Sequence, residues 1–177
     1  MVELSSETIK YYLNLEQSRY QTTKKGNALE DLICYMIGKI PGLYLKARNP
    51  FNSSKNQELD LAFWNKRYRS GLDFLPNIVA IECKNWERPV SGQQVSWFVQ
   101  KLKNRNLHYG ILVARNGIAG DYGNTKGAHS VIEDALRDGI SIIVITKKEI
   151  ENITDADEIV KLLEEKVSNL MIYVKVN

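Results

Sequence analysis

Ile78-Val79-Ala80-Ile81-Glu82-Cys83-Lys84 runs four apolar residues straight into an acid, a cysteine and a base. In a strand, alternate side chains share a face, so Val79, Ile81 and Cys83 point one way while Ala80, Glu82 and Lys84 point the other. The upstream run Gln57-Glu58-Leu59-Asp60-Leu61-Ala62-Phe63 alternates in the same manner, with Leu59, Leu61 and Phe63 expected on its apolar side and Glu58 and Asp60 opposite. If the two strands pair, Asp60 meets Glu82. Two carboxylates held together repel, and one takes up a proton unless a divalent cation lies between them; hard oxygen donors of this kind suit magnesium or manganese. A cation there lowers the pKa of a coordinated water and neutralises a scissile phosphate, and an adjacent ammonium orients the nucleophile or stabilises developing charge. Those parts suit phosphodiester hydrolysis.

Working outward, Leu43–Phe51, Glu58–Asn65 and Asn77–Trp86 read as three strands, antiparallel because their connections are short. Ahead of them, a helix over about 24–40 places Leu29, Leu32, Ile33, Met36, Ile37 and Ile40 on one stripe and ends at Pro41-Gly42. Glu30 lies at the edge of that stripe and Asp31 on the wet side, so Glu30 is the better candidate to reach a site on the sheet; its other reading is a first-turn acid favoured by the helix dipole. A further helix is expected over 6–20, with Ile9, Tyr12, Leu13 and Tyr20 as a partial stripe. Downstream, Ser91 and Gln94 fit a capping box opening a helix with the stripe Val95, Phe98, Val99 and Leu102. Trp97 falls outside that stripe with Gln93 and Gln100, facing a second subunit, nucleic acid or the C-terminal segment. Lys101, Lys103 and Arg105 suit the negative end of the helix and can equally line a DNA groove. Tyr109–Ala114 and Ile140–Thr146 are unbroken apolar runs, as in strands buried on both faces, the first parallel to the Glu82 strand by a right-handed crossover. A helix over about 128–138 precedes the second run. Thr154-Asp155-Ala156-Asp157 caps a last helix to about Ser168, and Leu170–Val176 is expected as an edge strand.

The order Glu30, Asp60, Glu82-Cys83-Lys84, set on helix, strand, strand and then helix, resembles the PD-(D/E)xK or restriction-endonuclease-like nuclease superfamily. It is nearest to the Mrr-like and archaeal Holliday-junction-resolvase-like members, over about residues 24–148. The resemblance implies an α/β restriction-endonuclease-like core, a mixed central sheet of about five strands flanked by helices, in one nuclease domain over 1–177 with the 6–20 helix and the 155–176 segment as additions. It implies an endonuclease that hydrolyses DNA with a metal-activated water. Asp60, Glu82 and the backbone carbonyl of Cys83 would ligate Mg2+, for which Mn2+ substitutes, and Glu30 would act through a water or a second ion. Lys84 would position the water or stabilise charge. Gln94 matches a helix position that in many relatives touches water or phosphate. The chain departs from Mrr-like enzymes in lacking a target-recognition module, so a protein partner is expected to supply specificity, and the resemblance to small chains of this type implies a homodimer. The alternative is a catalytically inactive nucleic-acid-binding or scaffolding subunit of a larger nuclease or defence complex, and action on RNA stays open beside DNA.

Whole-chain properties frame these readings. The sequence has 177 residues, 44% apolar and 25% charged, with a net charge of +3, which is ordinary for a globular domain and too mild to prove a nucleic-acid partner. Lys66-Arg67-Tyr68-Arg69 at a hairpin tip is a candidate phosphate contact, or simply a solvated loop. Arg115–Gly127 carries Gly117, Gly120, Gly123 and Gly127 with Asp121, Asn124 and Lys126; it matches no phosphate-loop pattern and reads as a mobile connection. Cys34 and Cys83 have neither disulfide nor zinc spacing and read as small buried residues. His108 and His129 fit no serine or cysteine triad. Met1–Glu7 lacks a basic region followed by an apolar core, and no apolar run is long enough to span a bilayer, so a cytoplasmic protein without a membrane partner is expected.

Overall fold

The computed structural model describes residues 2–15, 22–120 and 127–176. Within them the chain forms α1 (Ser6–Leu15), α2 (Thr22–Ile37), β1 (Leu43–Arg48), β2 (Leu61–Asn65), β3 (Ile78–Lys84), α3 (Gly92–Lys103), β4 (Tyr109–Ala114), α4 (Ala128–Arg137), β5 (Ser141–Thr146), α5 (Lys147–Ile150) and α6 (Ala156–Tyr173). The five strands make one mixed sheet in the order β1-β2-β3-β4-β5. β2 is antiparallel to both β1 and β3, while β3, β4 and β5 are parallel. Only β2 therefore runs against the rest. The C-terminal ends of the other four strands and the N-terminal end of β2 share one edge of the sheet.

Alternation of side chains divides the core into two layers. Leu61, Phe63, Val79, Ile81, Ile111, Val113, Ile143 and Ile145 pack with α1, α2 and the first half of α6. Ala80, Leu112, Ala114, Ile142 and Val144 pack on the opposite face with α3 and α4. Each fully buried aliphatic or aromatic side chain contributes roughly 1.5–3 kcal/mol, so this α/β/α sandwich holds the sheet edge rigidly. Gly110 on β4 is where α3 comes closest. A Cβ there would lie 2.7 Å from both Leu102 Cδ1 and Phe98 Cζ, so only glycine lets the helix settle at this depth.

Several boundaries differ from the sequence reading, each for a physical reason. The strand expected from Glu58 begins only at Leu61, because Leu59 turns to the α3 and α4 face instead of joining Leu61 and Phe63. Glu58 makes a single bridge with Phe51. Ser91 is the N-cap residue of α3, yet its side chain makes no cap hydrogen bond, so the expected capping box with Gln94 does not form. Leu170–Val176 is not an edge strand. α6 continues to Tyr173, since Leu170 is 1% exposed in the α4-side core and rewards another helical turn, and Val174 ends the helix with a positive φ of 54°. Asp155 caps α6 by accepting from the Glu158 amide, 2.9 Å away. The expected extension of α1 through Tyr20, and Asp121, Gly123, Asn124 and Lys126 of the glycine-rich connection, lie outside the described residues. No helix among the described residues is long and apolar enough to cross a membrane.

Candidate active site

The shared edge of the sheet brings Asp60, Glu82 and Lys84 together, as strand alternation predicts. Glu82 and Lys84 leave β3 on the α3 face, and the Lys84 Nζ donates to Glu82 Oε1 at 2.7 Å. Asp60 stands one residue before β2, where the ladder gives out after Leu61 pairs with Ile81. Its carboxylate substitutes for the missing backbone partner: Oδ2 accepts from the Cys83 amide at 2.6 Å and lies 3.9 Å from Lys84 Nζ. Because N–H and C=O of one strand residue point to the same edge, the Cys83 carbonyl leaves β3 on the side where Asp60 sits.

A fourth member comes from α3. Lys101 Nζ donates to Glu82 Oε1 at 2.6 Å, so one oxygen of Glu82 receives two ammonium groups. The other, Oε2, is buried without a hydrogen-bond partner. A carboxylate whose side chain is 3% exposed rarely leaves an oxygen unused.

Electrostatics follow from this crowding. Burial, and then the neighbouring Glu82, raise the Asp60 pKa above its ordinary value, against the opposing pull of Lys84, the Cys83 amide and Lys101. For Lys84, burial works against the charge but Glu82 and Asp60 outweigh it, so its pKa is raised and the side chain is an ammonium ion. Burial pushes the Cys83 thiol well up, which leaves it protonated. The Trp86 ring centroid lies 5.8 Å from Lys84 Nζ, a cation–π contact.

Glu30 takes a different place. It projects from α2 on the opposite face of the sheet and is claimed by Arg48 at the end of β1, Nε to Oε2 3.0 Å, while Arg48 also grips Asp31 at 2.6 Å. Burial raises the Glu30 pKa, the Arg48 hydrogen bond opposes this, and the charge of Asp60 adds to the rise. Glu30 thus feels Asp60 without joining it, and among the described residues no group of three or more His, Cys, Asp or Glu could hold a metal ion. No local sequence pattern pairs Glu30 with Arg48, which stands 18 residues away.

The other expected contacts separate. Lys66, Arg67 and Arg69 follow β2, whereas Asp60 precedes it, so the length of that strand, at least about 13 Å, lies between them. Arg67 is spent locally, with Nε and Nη2 donating to the Asp73 carbonyl at 2.9 and 2.8 Å. They cannot touch the same phosphate as Lys84. Gln94 lies in the first turn of α3, and it is Lys101, two turns further on, that meets Glu82. The sequence had offered Lys101 only as a dipole or groove residue, because nothing in it fixed how α3 crosses the sheet.

Two grooves flank the cluster. One of about 470 Å³ is lined by Arg115, Asn116, Thr146, Lys147, Lys148 and Glu151 at the ends of β4 and β5; the Arg115 amide donates to the Lys84 carbonyl at 3.0 Å, so this basic groove begins beside the site. The other, of about 330 Å³, is lined by Asn56, Gln57, Glu58, Trp97, Gln100 and Lys101. The basic groove is not legible in the sequence, because its cations come from the end of β4 and the start of α5, which only the parallel sheet brings together. Compared with protein-family models and with curated protein sequences, the chain matches none.

Proposed function

We propose that this protein is a divalent-metal-dependent nuclease of the PD-(D/E)xK type that hydrolyses DNA phosphodiester bonds. The observation that carries the reading is Glu82 Oε2: a buried carboxylate oxygen with no partner, on an acid whose other oxygen shares Lys84 Nζ with the carboxylate of Asp60. A divalent cation held between the two acids would use that oxygen.

The donor set fits magnesium or manganese. Two acids and a carbonyl are all oxygen, and Mg2+ keeps several waters and needs few protein ligands. Asp60, Glu82 and the Cys83 carbonyl would hold the ion; when bound, it supplies charge neutralisation at the phosphate and a more acidic water. The chain's own residues do the rest. Lys84, fixed by Glu82 and Asp60, offers N–H donors to the incoming water or to a phosphate oxygen. Its raised pKa suits it to stabilising charge and not to accepting a proton. Lys101 adds a second positive charge from α3, and the two lysines keep the acids compensated before substrate arrives. Arg115, Lys147 and Lys148 offer charge to the flanking backbone. In hydrolysis the water oxygen bonds to phosphorus and gives up a proton to solvent, the bond from phosphorus to the leaving sugar oxygen breaks, and that oxygen takes a proton from solvent.

The test incubates the purified protein with supercoiled plasmid, single-stranded DNA, a four-way junction and RNA, in magnesium, manganese or EDTA, beside the Lys84→Ala variant. Metal-dependent cutting lost in the variant supports the reading, and the substrate preferred chooses among nuclease classes. Binding without cutting under every condition would replace it with a nucleic-acid-binding subunit.

A further inference from the structure

Trp97 is 54% exposed on a regular helix. It stands one turn before Lys101, four residues apart, so the two side chains are neighbours on one face of α3. Lys101 in turn touches Glu82 at 2.6 Å. The groove lined by Trp97 is thus one side chain away from the candidate reacting centre.

The walls of that groove are held in place. Gln57 Oε1 accepts from Asn104 Nδ2 at 2.9 Å, and Asn104 Oδ1 accepts from Gln100 Nε2 at 2.8 Å. Arg105 pins the same loop through the Gln57 carbonyl at 2.7 Å, and Asn52 Nδ2 donates to Asn56 Oδ1 at 2.7 Å. An indole on a rigid helix, facing a loop whose amides are already fixed, is a flat apolar platform edged by hydrogen-bonding groups. Apart from Trp97 the lining is polar, Asn56, Gln57 and Gln100 with Glu58 and Lys101, so the group that fits it offers one flat face and a hydrogen-bonding edge. A nucleobase matches it: one face stacks, the edge meets amides, and the attached phosphate reaches towards Lys101.

We propose that the Trp97 groove binds an unpaired nucleobase, with Trp97 as its stacking platform, so that the strand presented to Glu82 and Lys84 is single-stranded or locally unpaired. This rests on the nuclease reading for its purpose, though not for its test. Trp97 is a positioning residue in this scheme, acting on the strand and not on the bond.

The experiment measures fluorescence anisotropy of a dye-labelled DNA oligonucleotide, single-stranded or annealed to its complement, in EDTA so that nothing is cut. Wild type, Trp97→Ala and Trp97→Phe are compared, with circular dichroism melts to show that all are folded and light scattering to give their masses. Trp97→Ala weakens single-strand binding roughly 5- to 100-fold, Trp97→Phe retains most of it, and duplex binding changes less. Equal binding by Trp97→Ala, or no single-strand binding by wild type, overturns the proposal. A fall in mass with single-strand binding intact also overturns it, assigning Trp97 to a contact between copies of the chain. Cleavage is then scored separately. Trp97-dependent binding without cutting in any metal keeps the groove and removes the nuclease, whereas cutting that needs Lys84 with Trp97-independent binding removes the groove alone.

Discussion

Two carboxylates in this molecule, Glu82 buried and Glu149 partly buried, are each held by lysine, and they differ in what is left over. Glu149 at the start of α5 uses both oxygens: Oε1 takes Lys166 from α6, and Oε2 accepts from the Thr146 amide and hydroxyl, both at 2.7 Å. Glu82 gives one oxygen to two lysines and leaves the other without a partner. Titration follows the same division. Burial disfavours the charge on Glu149, but Lys166 and Thr146 outweigh it and its pKa is lowered; Asp60, the partner acid of Glu82, has its pKa raised by burial and by Glu82. The first arrangement is complete and serves the fold. The second is electrostatically unfinished, and a site that must accept something has to be.

The largest expected effect on this contrast is catalytic. Under the nuclease reading, Lys84→Ala and Asp60→Asn each lower plasmid cleavage by roughly 100- to 1000-fold, the range for removing one preorganised electrostatic group. Glu149→Gln leaves the cleavage rate near wild type at a temperature where the fold is intact. Equal losses from both would erase the distinction. Stability divides the other way. Glu149→Gln costs about 2 kcal/mol, as expected for hydrogen bonds to a charged group, read from urea unfolding. Asp60→Asn is neutral or stabilising by roughly 0.5–1 kcal/mol, because the ionised form is the one the fold resists while an amide oxygen can still accept from Cys83.

The two regions also predict opposite slopes with pH. A lowered folded pKa gives stability that is present above the unfolded value, about 4.3 for Glu, and is lost as pH falls through the folded one. Glu149→Gln therefore removes part of the acid-side loss. For Asp60 the folded state holds its proton more tightly than the unfolded chain, so stability falls as pH rises from about 3.9 to the raised folded value, and Asp60→Asn removes that decline. Thermal melts between pH 3 and 7 separate them. The smallest effect is metal alone: Mn2+ raises the melting temperature of wild type by a few degrees at saturating concentration and leaves that of Asp60→Asn unmoved. A shift shared by both proteins would place the ion elsewhere.

How legible this was in the sequence depends on the length scale of each interaction. Alternation along β3 is enough to put Glu82 and Lys84 on one face, and the antiparallel return from β2 to β3 brings Asp60 alongside. The sheet and its mixed order were readable for the same reason, since apolar runs without alternation mark strands covered on both faces. Lys101 was not, because its meeting with Glu82 depends on the angle at which α3 crosses the sheet, a property of packing and not of local pattern. Glu30 sat correctly at the edge of its stripe, yet a stripe does not say which cation waits opposite, and Arg48 did. The C-terminal segment misled because Met171, Ile172, Tyr173 and Val174 have strand-like composition, while the helix is extended by Leu170 finding a buried seat.

Gly110 sets a limit on all of this. Since Leu102 and Phe98 occupy the place a Cβ would need, the missing side chain works as a spacer gauge that fixes the stand-off between α3 and the sheet. Lys101 and Trp97 ride on that helix, so the height of the ammonium over Glu82 and the depth of the groove beside it are set together. A methyl group at position 110 would act like a shim under a tool rest, lifting two functional side chains from a distance while touching neither.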